Sequence, residues 1–212
     1  MKTLILFVLL TFPIGLLSVF SCQAQDASVW EGAIYACQAE AIFDSEKSDN
    51  DDLKRAIDYF ELAEKNGFGD AYMYYIKGSC YYYMKDHAKA IATLTKGIEL
   101  LGDDTQFVRH DIARKRNDKY EKISTSLFEP PICNMFIYRG ESKRFLKDNR
   151  SAEKDFDKAE LMCPDRLGGM FLMMRGLTRI ALGKLTAGCD DFSRAGEMGN
   201  EQAYVLIQQH CN

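Results

Sequence analysis

The spacing of small and bulky residues repeats along most of this sequence, and it limits what the chain can become. From Phe136 to Pro164 (FIYRGESKRFLKDNRSAEKDFDKAELMCP), Gly140 follows Phe136 by 4 residues, and Ala152, Phe156, Ala159 and Pro164 follow Gly140 by 12, 16, 19 and 24. The same ladder runs from Gly176, with Leu172 before it and Gly188, Phe192, Ala195 and Asn200 after it, and from Gly78, with Tyr74 before and Ala90, Leu94, Gly97 and Gly102 after. Residues four apart share one face of a helix, so each ladder reads as two antiparallel helices. Gly and Ala let the two backbones approach, while Tyr74, Phe136 and Leu172 with Leu94, Phe156 and Phe192 fill the space between hairpins. One hairpin cannot bury its own apolar face, so at least three must stack.

Taken in order, residues 28–68, 70–102, 132–164 and 168–200 are expected to form four hairpins. Ser28 would cap a first helix whose face is Trp30, Ile34, Cys37 and Ala41. The polar loop 44–52 then lengthens the first turn, and Ala56, Phe60 and Ala63 repeat the spacing of Ala152, Phe156 and Ala159. Asp70 would cap the helix that follows Gly67 and Gly69. Ala90 to Ala152 is 62 residues, the 34-residue period plus 28, so residues 103–131 are an insertion, read as a charged helix with a thin apolar stripe (Val108, Ile112, Tyr120, Ile123, Leu127). Residues 201–212 are read as a capping helix in which Ala203, Leu206 and Ile207 cover the fourth hairpin while Glu201, Gln202, Gln208 and Gln209 face water.

Met1–Ala24 carries Lys2, an apolar run and then small residues, the layout of a secretory leader. Two processing routes are left open: cleavage before Gln25, which the small residues at Cys22 and Ala24 favour, or lipidation at Cys22 within VFSC. The protein is therefore expected in the periplasm or secreted, with a membrane link only through a lipid anchor at Cys22. A net charge of -4 forces no basic face, and Asp111, Asp118 and Glu121 offset Arg114, Lys115 and Arg116, so nucleic acid is not an expected partner.

The ladder residues, and the basic-Gly pairs Lys77-Gly78, Arg139-Gly140 and Arg175-Gly176, resemble tetratricopeptide repeats. AEKNGFGDAYMYYIKGSCYY and AGEMGNEQAY are also similar to Sel1-type repeats, in which disulfides between helices are frequent. Lys143 and Arg179 depart from the pattern, since an aromatic is usual there. The resemblance implies an all-α, right-handed superhelical solenoid that binds protein or peptide segments in its concave face and has no chemistry of its own. It also implies which residues face that groove: Tyr72, Tyr75, Ser79 and Tyr82; Asn134, Ile137, Glu141 and Arg144; Met170, Met173, Leu177 and Ile180. Tyr75, Tyr82 and Arg144 are read as an open row suited to gripping a peptide. The Met170 to Ile180 stripe has a competing reading as core beneath the C-terminal cap.

No catalytic, cofactor or metal constellation emerges. His87, His110 and His210 lie far apart and outside any ligand motif, and there is no CxxC pair. A second functional class, a Sel1-like secreted enzyme or binder acting on cell-wall material, has no paired carboxylates or activated nucleophile behind it. Six cysteines remain besides Cys22. In a hairpin, residues equidistant from the turn face each other, which pairs Cys133 with Cys163 and Cys189 with Cys211; Cys37 and Cys80 are the leftover, weaker pair.

Overall fold

The computed structural model describes residues 29, 31–36, 38–39, 42–43, 49–101, 113–116, 119–122, 132–164 and 167–211. The proposed leader, Cys22 and His110 lie outside these residues. The helical residues between 29 and 43 form α1. The chain continues with α2 (Asn50–Lys65), α3 (Ala71–Tyr83) and α4 (His87–Leu101), then α5 (Ile132–Phe145), α6 (Asn149–Met162), α7 (Gly169–Ala181), α8 (Leu185–Glu197) and α9 (Glu201–His210). From α2 onwards each helix packs on the next, and α5 also touches α3 and α7, so the hairpins stack side by side as a helical-repeat solenoid.

The helix starts follow from sequence. Asp49, Asp70, Asp148 and Asn200 cap α2, α3, α6 and α9 by accepting bonds from first-turn amides. The ends of α3, α5 and α7 close alike: the amides of Asp86, Asp148 and Lys184 donate to the carbonyls of Tyr81, Lys143 and Arg179, which requires a left-handed residue just before each. Those residues are Lys85 (φ 63°), Lys147 (φ 67°) and Gly183 (φ 76°). Two of the three carry a side chain where glycine is at ease. Lys85→Gly and Lys147→Gly should therefore each raise stability by about 0.5–1 kcal/mol, measured as urea midpoints.

The ladder residues do what their sizes suggest. Ala56, Phe60, Ala63, Ala90, Leu94, Ala152, Phe156, Ala159, Phe192 and Ala195 are fully buried. A Cβ added at Gly176 would sit 2.6 Å from the Phe192 ring, and one at Gly78 would sit 2.6 Å from Leu94, so these glycines are set by close approach between helices. The buried side chains fall into two clusters. One runs from α1 to α4 and includes Met135; the other runs from α5 to α9; Ile98 and Leu101 of α4 pack against both.

Three expectations are corrected. Where an inserted helix was expected, Ala113–Arg116 and Lys119–Lys122 form a two-stranded antiparallel hairpin, with Arg114 opposite Glu121 and Arg116 opposite Lys119. Val108, Ile112, Ile123 and Leu127 of the expected stripe lie outside the described residues, and Asn117-Asp118, between the strands in sequence, is a pair that favours tight hairpin turns. On α1, Gly32, Ala36 and Ala39 are buried while Ile34 is 49% exposed, so small residues make the closest approach to the body, with Tyr35, Ile42 and Phe43 packed at its margin; Trp30, Cys37 and Ala41 of the expected face lie outside the described residues. A Cβ on Gly32 would lie 2.6 Å from Phe68, which explains the choice. Cys80 is a free, fully buried thiol, with its pKa pushed by burial to about 12, rather than half of a bridge to Cys37, which lies outside the described residues. It sits in the core with Ala36 and Ala39 of α1 and acts as a small apolar residue.

Ion pairs stitch the repeats together. Arg139 binds Asp155 through Nε (2.9 Å) and Nη2 (2.7 Å), and Arg175 binds Asp191 the same way (3.0 and 2.7 Å). Lys143 joins Asp155 at 2.7 Å, and Arg179 joins Asp191 at 2.9 Å. The basic residues at the two positions where an aromatic was expected are thus second partners of one buried carboxylate. Each basic-Gly residue also reaches the preceding hairpin: Arg175 to Glu160, Arg139 to Thr95 Oγ1 (3.1 Å), and Lys77 to Glu64 (2.5 Å).

Glu64 shows what such a joint does with pH. Burial opposes its ionisation, but hydrogen bonds from Lys77, Tyr74 and Lys96 prevail and lower its pKa from 4.5 to about 2. A carboxyl depressed in the folded state stabilises fully above its unfolded pKa, and that contribution is lost as pH falls through the folded value. Glu64→Gln should therefore cost about 2 kcal/mol at pH 7. The gap to the native chain should close between pH 4.5 and 2, as read from urea unfolding across that range.

Candidate partner-binding face

The first helices of successive hairpins, α3, α5 and α7, carry the residues expected to face the groove. The row at the α3 end is not open. Tyr138 of α5 stacks on Tyr75 (centroids 6.3 Å apart, planes 5° apart) and on Tyr82 (4.8 Å, 25°), and its hydroxyl lies 3.1 Å from that of Tyr83. Tyr72 tilts against Tyr75 at 6.0 Å, and Asn134 donates to the Tyr75 hydroxyl at 3.3 Å. His87 completes the group, stacked flat on Phe145 at 4.5 Å. Burial raises the Tyr82 pKa to about 12 and raises that of Tyr138 further. Burial lowers the pKa of His87, so its ring packs as a neutral aromatic rather than standing free on a helix surface.

These tyrosines are therefore the packing between two hairpins, with their edges half-exposed. Two polar residues assigned to the groove do not line it. Ser79 is fully buried and donates to the Tyr75 carbonyl of its own helix (2.8 Å). Glu141 is buried and accepts two bonds from Arg144, at 2.8 and 2.6 Å. That pairing raises the Arg144 pKa, and the guanidinium lies 4.6 Å over the Phe145 ring, so it is committed within the fold. The reason is rotational: the stacking of α5 on α3 brings Tyr138, two residues before Gly140, into the gap that position counting within one hairpin leaves empty.

The α7 end is different. Met170 is exposed, while Met173, Leu177 and Ile180 are half-buried. The C-terminal helix packs chiefly on α8, and its start lies beside the strip, where Met170 lines a shallow hollow with Asn200, Glu201 and Gln202. Ile180 leans inward against Gly188, where a Cβ would meet it at 2.7 Å, and Asn200 Nδ2 lies 3.9 Å from the Met173 sulfur. Ile137 of α5, half-buried beside the second core, continues this apolar strip towards the tyrosines. Among the described residues no group of His, Cys, Asp and Glu is arranged to hold a metal ion.

Two covalent ties fix this end of the array. Cys133, early in α5, is bonded to Cys163 after α6 (Cα–Cα 6.3 Å), and Cys189 in α8 is bonded to Cys211 after α9 (5.8 Å). Each closes the open end of a helix pair opposite its turn.

The model of the tetratricopeptide repeat family matches residues 71–100, which are α3 and α4. No curated protein matches the chain.

Proposed function

We propose that this protein is a non-catalytic scaffold of the cell envelope or secreted space that holds a protein or peptide segment against the concave side of its stacked hairpins. The stacked architecture and the tetratricopeptide match at 71–100 support a role in protein–protein interaction. The observation that carries the groove is the strip Met170, Met173 and Leu177 with Ile137, apolar side chains of the first helices that are exposed or half-buried. Methionine-rich surfaces adapt to varied side chains, which suits segment binding. The leader-like N-terminus and two disulfides, bonds that persist in oxidising compartments, support export.

The test is cross-linking of the full chain in cell-envelope extracts, native against Met173→Glu/Leu177→Glu. Capture of the partner should fall at least about tenfold, the scale of two lost interface contacts, with the urea midpoint little changed. Equal capture by both proteins would move binding to another face.

A further inference from the structure

The edge formed by the hairpin turns carries a pattern that groove binding does not use. Tyr83, Phe145, Leu146 and Leu185 sit at or beside the turns of the second, third and fourth hairpins and are 49–54% exposed. Lys85, Lys147 and Lys184 alternate with them, the first two in left-handed backbone at the turn apex. Within residues 83–89, 145–151 and 181–187 there are five basic side chains (Lys85, Lys89, Lys147, Arg150, Lys184) against two acidic ones, in a chain of net charge -4. Both acidic residues are turned back to the helices as caps: Asp86 accepts from the Lys89 amide and also pairs with the Lys89 ammonium at 3.2 Å, and Asp148 accepts from the Ser151 amide. Lys184 is likewise paired, to Glu153, which leaves Lys85 and Lys147 as the lysines of this edge with no acidic partner among the described residues. The turns are neighbours in space, since His87 stacks on Phe145 and Lys184 reaches Glu153 of the preceding hairpin at 2.6 Å. The first hairpin does not share the pattern; Asp49, Asp51 and Asp52 mark its α2 start.

We propose that this edge docks on an anionic lipid bilayer, with the exposed aromatic and leucine side chains entering the headgroup region and the lysines meeting lipid phosphates. Bulky apolar tips interleaved with long cationic side chains are the chemistry of an interfacial contact. The concave face stays free, so a docked scaffold presents its groove alongside the membrane.

The full chain is incubated with vesicles of phosphatidylcholine and phosphatidylglycerol (70:30) or of phosphatidylcholine alone, and lysine acetylation rates are read by mass spectrometry. Because each lysine reports separately, tethering by the N-terminal apolar run is distinguished from docking of the edge. Lys85 and Lys147 should be protected several-fold on the anionic vesicles only, with protection lost at high salt, while Lys54, Lys65 and Lys158 stay unchanged. Lys85→Glu/Lys147→Glu should lower partitioning onto the anionic vesicles by about tenfold or more. Its unchanged urea midpoint serves as the folding control. Equal protection on both vesicles, protection of lysines elsewhere, or unaltered partitioning of the variant would overturn the proposal. So would protection of Lys85 and Lys147 by a protein cross-linked in extracts but by no vesicle, which would make this a protein-docking edge.

Discussion

Asp191→Ala should destabilise the protein by about 3–5 kcal/mol, the largest single-residue loss expected in the array. Asp191 is buried between two cations: Arg175, 1% exposed, which it holds through two bonds, and Arg179 at 2.9 Å. Truncation leaves the Arg175 guanidinium desolvated with only Glu160 as an ionic partner, and a buried charge without its main counterion costs more than the pair contributed. In a chain of this size the loss corresponds to a fall in melting midpoint of about 10 °C. The double variant Arg175→Met/Asp191→Leu should recover most of the loss, because an apolar pair of similar volume needs no counterion. A single substitution that melts within 2 °C of the native protein, a shift of about 1 kcal/mol or less, would mean that the pair is not buried as described.

Breaking the second disulfide is expected to act almost as strongly, but locally. Cys189→Ser/Cys211→Ser opens a loop of 22 residues, whose closure is worth about 3 kcal/mol in the chain-entropy account. Of the α9 side chains only Ala203 is buried, with Tyr204 against Gly196 and His210 near Phe192 at the margin, so the bridge carries a large share of what holds α9 to α8. The amides of α9 should lose hydrogen-exchange protection while those of α5 to α7 keep it. Uniform loss across α5–α9 would instead mean that α9 is part of the cooperative core.

The helices, their order and their pairing were legible in sequence because small-to-large spacing reports directly on distances between helix axes. Two bridged cysteine pairs followed from the same geometry, since the turn fixes which residues face each other. The ion pairs are legible too, as a paired motif: Arg139-Gly140-x-x-Lys143 with Asp155-Phe156 repeats as Arg175-Gly176-x-x-Arg179 with Asp191-Phe192. In the second hairpin Tyr81 and Thr93 stand at those two positions, so a basic residue in the first helix goes with a carboxylate in the second. The tyrosine row was misread because exposure on a first helix depends on how its neighbour is rotated, and that rotation is set by packing between hairpins rather than by spacing within one. Tyr138 is the side chain whose placement decided the matter.

The joints between hairpins are not equal. Glu64 and Glu160 each lie 8 residues after the small alanine of their helix and receive the next hairpin's cation; in α4 that position is Ile98, and Arg139 finds the neutral Thr95 instead. This joint is also where the two cores meet and where the insertion enters. Two ionic joints therefore flank one held by apolar and aromatic packing and by hydrogen bonds at the hydroxyls of Thr95, Tyr75 and Tyr83. Salt and acid weaken carboxylate joints, whereas cold weakens apolar ones, so the solenoid is a chain whose middle link answers to a different solvent variable from its neighbours. Cooling should divide it into an N-terminal and a C-terminal half, whereas acid should loosen it within the halves and leave the middle link the last to open.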